Sequence, residues 1–166
     1  MEQIIDLYAG QYKGFDFMSK KCCFSGQSTS YSFADRKKLY EICERLIHRG
    51  VIEFYIGNDG NFNRLATEVL CDLKEQHPAI VRTLLLPCYT PESIRSLAGR
   101  TERYDRILSA EVDPTLSVQE QLQKADEIMI DRSDYLVCAV VNSGVTPRML
   151  AYAERKRSMT ICYLKK

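Results

Sequence analysis

The chain has 166 residues, 45% of them hydrophobic and 27% charged, enough to bury one core without covalent staples. Its formal charge of +1 argues against a protein built mainly to neutralise nucleic-acid phosphates, and no segment has the apolar length needed to cross a bilayer. Seven cysteines form no CxxC pair and only two histidines are present, so reduced thiols in a cytosolic protein are expected, with neither a disulfide framework nor a metal site.

The first twenty residues read as an extension interrupted by Gly10 and Gly14. The regular pattern starts at "KKCCFSG", an apolar strand from Cys22 to Ser25 followed by a Gly/Ser-rich loop through Ser32. Ser32 and Asp35 form a capping arrangement ahead of a helix whose Leu39, Ile42, Cys43, Leu46 and Ile47 make one buried stripe. Gly50 ends that helix as a left-handed cap. "VIEFYIG" is the next strand, and the helix beyond its glycine turn carries Phe62, Leu65, Ala66, Val69 and Leu73 on one face. "AIVRTLLLP" is a third strand, apolar enough to be covered on both sides. Residues 88–117 are the least regular, with a short helix after Pro91 and a strand near "YDRILSAEV".

Ser117 and Glu120 make a second capping box, opening the helix "SVQEQLQKADEIMIDRS". "DYLVCAVV" is a buried strand. "GVTPRMLAYAERK" turns into a helix with Thr146 as N-cap and Pro147 at its first position. "MTICYL" closes the chain as a strand. Strands alternating with helices predict an α/β protein, a Rossmann-like three-layer sandwich with a mostly parallel sheet covered by helices on both faces. The domain reading is an extension over residues 1–20 and one domain over 21–166.

Ligands of open α/β sheets bind beyond the carboxyl ends of the strands. Three turns lie there: "SGQSTSYS", "GNDGNFN" and "NSGVTP". Glycine lets the backbone approach an anion, and a helix N-terminus supplies free N–H groups. The candidate ligand-binding residues are Ser25, Gly26, Gly57, Asn58, Gly60, Arg64, Asn142, Gly144 and Thr146. Gly57 and Gly60 bracket a turn that aims the amides of Gly60, Asn61 and Phe62 at one point. The plainer alternative has the glycines only satisfying the turn, with Asp59 or Asn61 capping the helix. Arg64 either faces the ligand or pairs with Glu68 one turn on. Arg148, similarly placed on its helix, has a solvated surface position as its alternative.

"CCFSGQS", "FYIGNDGNFNRLATEVL", "LLLPC" and "IDRSDYLVCAVVNSGVTPRMLAYAERK", in this order and spacing, resemble the SLOG superfamily of Rossmann-like proteins, and most nearly its YpsA-like bacterial branch. The resemblance runs from about Cys22 to the C-terminus and implies a pocket for nucleotides or nucleotide-derived molecules. Gln27 and Ser28 stand where the family usually has His and Arg. Asn63 replaces an acid and Val145 a glycine. The Pro-Gly-Gly-x-Gly-Thr loop of the Lonely Guy phosphoribohydrolases has no counterpart in "NSGVTPRM", which disfavours hydrolysis.

Three functions follow from this reading. The first is a cytosolic sensor that binds a nucleotide-like small molecule without a cofactor, with no strong nucleic-acid signal and no membrane contact. The second is a hydrolase of N-glycosidic bonds using Asp59 or Glu68. The third is an interaction module with a degenerate pocket, in which Tyr8, Tyr12, Phe15 and Phe17 of the extension make a partner or homo-oligomer contact.

Overall fold

The computed structural model describes residues 19–26, 30–58, 60–139, 145–156 and 158–165, with Val145, Thr146 and Lys165 as backbone only. Six strands are present among them: β1 (Lys20–Gly26), β2 (Val51–Gly57), β3 (Val81–Leu86), β4 (Arg106–Ser109), β5 (Tyr135–Ala139) and β6 (Thr160–Lys165). The helices are α1 (Phe33–His48), α2 (Asn61–Gln76), α3 (Pro91–Arg95), α4 (Val118–Asp131) and α5 (Val145–Arg155), with a 3₁₀ turn at Thr101–Arg103. All five strand pairings are parallel, in the order β4-β3-β2-β1-β5-β6. The strand order reverses between β1 and β5, as in doubly wound Rossmann-like sheets. The α/β fold expected from the alternating pattern is the fold observed.

Side-chain alternation along the strands divides the core into two layers. Cys22, Phe24, Phe54, Ile56, Leu84, Leu86, Val137 and Ala139 face α1 and α2. Their neighbours Cys23, Tyr55, Leu85, Leu136 and Cys138 face α4 and α5. The predicted stripe on α2 is buried, Phe62, Leu65, Ala66, Val69 and Leu73, and so is that on α1 at Leu39, Ile42, Cys43 and Leu46, whereas Ile47 at its end is half-buried against the core. Gly50 takes the left-handed conformation, with φ of 95°. Ser32 with Asp35 and Ser117 with Glu120 form complete capping boxes.

Several element ends differ from the sequence reading by a few residues, the starts of β1 and α5 among them. β1 starts at Lys20, because Lys20 and Lys21 pair with β2 despite their charge. α5 starts at Val145, so Thr146 and Pro147 fall inside its first turn rather than at the cap and the first position.

One charged side chain lies within the sheet. Glu53 of β2 is fully buried and accepts hydrogen bonds from Thr83 of β3 at 2.6 Å and Arg106 of β4 at 2.9 Å. Lys21 of β1 approaches its other oxygen at 3.9 Å. A single carboxylate thereby links four adjacent strands.

The seven cysteines are free thiols, five of them buried. Burial pushes the Cys23 thiol up to about 12 and Cys138 to about 11, which keeps both protonated at neutral pH. No described helix is long and apolar enough to cross a membrane.

Candidate phosphate pocket

The second glycine turn connects the carboxyl end of β2 to α2. Gly60 is the N-cap of α2 and sits at φ 85°, ψ 157°, a region open essentially to glycine alone. It has no side chain to accept from the first amides of the helix. Gly57 closes β2, and its N–H donates to Oδ1 of Asn63 at 3.1 Å. A Cβ on Gly57 would lie 2.9 Å from the Asn63 amide nitrogen, so this glycine makes room for the side chain that fastens α2 to the strand.

The opposite wall comes from the segment between α3 and β4. Asn58 donates to Oγ of Ser96 at 3.1 Å, and Arg100 donates to Oδ1 of Asn58 at 3.3 Å. Arg100 also donates through Nε to the Ser96 carbonyl at 3.1 Å. These bonds hold the guanidinium half-buried at the mouth of the turn. Tyr104 is buried behind it. Asp105, next in the chain, receives a two-pronged contact from Arg82, Nε to Oδ2 at 3.0 Å and Nη2 to Oδ1 at 3.2 Å, with Lys74 3.4 Å away. Burial alone would raise the Asp105 carboxyl, but the Arg82 hydrogen bonds and charge outweigh it and hold the group below its usual value. This anchor fixes the backbone that presents Arg103 and Tyr104.

Gly57, Asn58, Gly60, Asn63, Arg64, Thr67, Arg100, Arg103 and Tyr104 line one pocket of about 110 Å³. That is below the roughly 300–1,000 Å³ of sites enclosing a small molecule, and of a size for an anionic group with the rest of its ligand outside. Three of the lining residues are arginines and none is a carboxylate. Arg64 and Arg103 are exposed and form no ion pair with a described carboxylate; the Arg64–Glu68 pair that helical spacing allows is not made. Guanidinium groups suit phosphate because they present several donors in one plane.

The structure therefore brings Gly57, Asn58, Gly60 and Arg64 together. Ser25 and Gly26 end β1 beside Cys138 and Ala139 of β5 and do not line this pocket. Gly26 has a packing task, since a Cβ there would meet the Phe62 ring at 2.4 Å. Asn142, Gly144 and Asp59 lie outside the described residues, as does the side chain of Thr146. Arg148 donates to Gln123 of α4.

Sequence reasoning missed Arg100, Arg103 and Tyr104. The available signal was density: Arg95, Arg100, Arg103 and Arg106 fall within twelve residues of the least regular stretch.

No family model and no curated protein sequence matches the chain. Solved structures that share its fold include two DNA processing proteins. One is DNA processing protein A from Helicobacter pylori, a structure described for its single-stranded DNA binding mode, at TM-score 0.59 and 12% identity over 87% of this chain. The other is DNA processing protein A from Streptococcus pneumoniae, at TM-score 0.62 and 11% identity, again over 87% of this chain. The chain spans 64% and 50% of the lengths of these two proteins.

The partner expectation is thereby corrected: a nucleotide-like small molecule with no nucleic-acid signal gives way to structural neighbours that process DNA, one with a described single-stranded DNA binding mode. The physical source of the error is averaging, because a net charge of +1 conceals three arginines gathered at one turn. The fold is Rossmann-like, as the SLOG resemblance implies, and is the fold these two DNA processing proteins share.

Proposed function

We propose that this chain binds single-stranded nucleic acid, holding a backbone phosphate in the pocket between the Gly57–Gly60 turn and the Arg100–Tyr104 segment. The observation that carries the reading is the set of three arginines around a small open pocket whose described lining contains no carboxylate. Arg100, fixed by Asn58 and Ser96, is the pre-oriented contact. Arg64 and Arg103 close on the phosphate from either side, with the backbone at Gly60 leaving space for its oxygens. The DNA-binding neighbour of the same fold supports nucleic acid over other phosphate carriers.

Ser25 and Gly26 close β1 and Thr146 lies in the first turn of α5, and we include them, with Asn142 and Gly144 of the sequence between β5 and α5, as the continuation of the track along the carboxyl edge. Within the SLOG superfamily we place the chain near the YpsA-like branch, on the order of its turns. We take it as one domain from residue 21 onward after an N-terminal extension, in a bacterial cytoplasm that keeps its thiols reduced.

The test is fluorescence anisotropy with a labelled oligothymidylate at low salt. The Arg64→Ala/Arg103→Ala variant should bind at least about tenfold more weakly than the wild type, since each charged hydrogen bond contributes about 1.5–3 kcal/mol. Its melting temperature should stay unchanged, because both side chains are exposed. Equal affinity of the variant and the wild type would remove the pocket from the binding site.

A further inference from the structure

Phe33 is 80% exposed, although it is the first residue of a helix packed on the core. At about 100° per residue it stands roughly 130° around the helix from the centre of the buried stripe of Leu39, Ile42, Cys43 and Leu46. Lys37, one turn on along the same face, is exposed and forms no ion pair with a described carboxylate. An aromatic ring with a cation one turn away is the pairing that single-stranded nucleic acids use, the ring for a base and the cation for the adjoining phosphate.

Its position matches the pocket. Two residues before Phe33, the Tyr31 ring packs on Phe62 with centroids 5.4 Å apart. Phe62 is the second residue of α2, between Gly60 and Arg64 of the pocket wall. Neighbouring helices pack with axes about 8–10 Å apart. The step from the arginines across Tyr31 and Phe62 to Phe33 is thus on the scale of a few nucleotides.

We infer that Phe33 is a base-stacking platform for single-stranded nucleic acid, with Lys37 contacting a phosphate beside the stacked base. The inference rests on the phosphate pocket proposed above and adds to it a contact to bases. Stacking is indifferent to base identity because every base has a π-face, so the platform brings no sequence preference.

The experiment compares oligothymidylate with an abasic deoxyribose-phosphate chain of the same length, using the wild type, Phe33→Ala, Phe33→Trp and Arg64→Ala/Arg103→Ala. Phe33→Ala should bind oligothymidylate about tenfold more weakly and the abasic chain unchanged, and Phe33→Trp should restore oligothymidylate binding. The arginine variant should weaken on both polymers. If Phe33→Ala keeps wild-type affinity for oligothymidylate while the arginine variant loses it, the stacking platform is wrong and the phosphate pocket stands. Equal loss on both polymers by Phe33→Ala also overturns it, since the ring would then not act through a base. A drop of several degrees in the melting temperature of Phe33→Ala would mean that the ring is covered by the chain itself, and would overturn the inference too. Absence of binding to either polymer by the wild type would remove both proposals.

Discussion

At the scale of single residues, the glycines divide by what their missing side chains permit. Gly60 has a positive φ and a backbone conformation that a Cβ opposes. Gly57 leaves room for the Asn63 amide, and Gly26 leaves room for a ring. The Phe62 ring lies over Gly26 and also meets Phe24 edge-on at 6.3 Å. It is fixed by its own helix, so an added methyl cannot be absorbed by a flexible tip. Gly26→Ala is therefore expected to destabilise the fold by about 1–3 kcal/mol, the range of overpacking changes in cores. Urea unfolding measures it, and an unchanged midpoint would mean that Phe62 moves aside freely. Nothing in the motif "CCFSGQS" announces this role, because the partner is thirty-six residues away and contact is a property of the fold.

At the scale of elements, periodicity reported what it governs. The stripes on α1 and α2, the capping boxes at Ser32 and Ser117 and the apolar strands follow from local rules, and each is found within about two residues of where the sequence indicates. The stretch between β3 and α4 obeys no period, since a five-residue helix and a 3₁₀ turn are too short to show one. Its shape comes from long-range bonds: Arg82 to Asp105 across neighbouring strands, and Asn58 to Ser96 and Arg100 across the pocket. For that reason the arginines of the site were hidden while the glycines were visible.

The Arg82–Asp105 pair gives this scale its test. Both side chains are 11% exposed. The Asp105 carboxyl is held below its usual value, so the pair stabilises the folded state fully above the ordinary carboxylate pKa of about 4 and loses that contribution as pH falls below it. Asp105→Asn should cost about 3 kcal/mol at neutral pH, the cost of leaving a buried charge without its partner. Its stability should fall less steeply than that of the wild type below pH 4. Parallel profiles for the two proteins would assign the acid sensitivity to other groups.

At the scale of the whole molecule, the sheet separates support from function. Glu53, with Thr83, Arg106 and Lys21, ties the strands within the sheet. Among the described residues, the carboxyl edge carries the Gly57–Gly60 turn, the arginines of the pocket and the exposed Phe33 ring. The formal charge of +1 is compatible with the proposed nucleic-acid binding because that proposal asks for only a few local cations, the three arginines that line the pocket. A chain that neutralised phosphates along its whole surface would show a steep salt dependence, whereas one pocket of three arginines predicts a shallow one.

That difference makes the salt titration of oligothymidylate binding the most direct test. For single strands the logarithm of the binding constant falls with the logarithm of salt concentration by about 0.7 per neutralised phosphate. One phosphate held by the three arginines and a second beside Lys37 predict a slope between about −0.7 and −1.4, and a shallower one for Arg64→Ala/Arg103→Ala. A wild-type slope near zero, or one unaltered by removing both arginines, would contradict phosphate recognition at this turn.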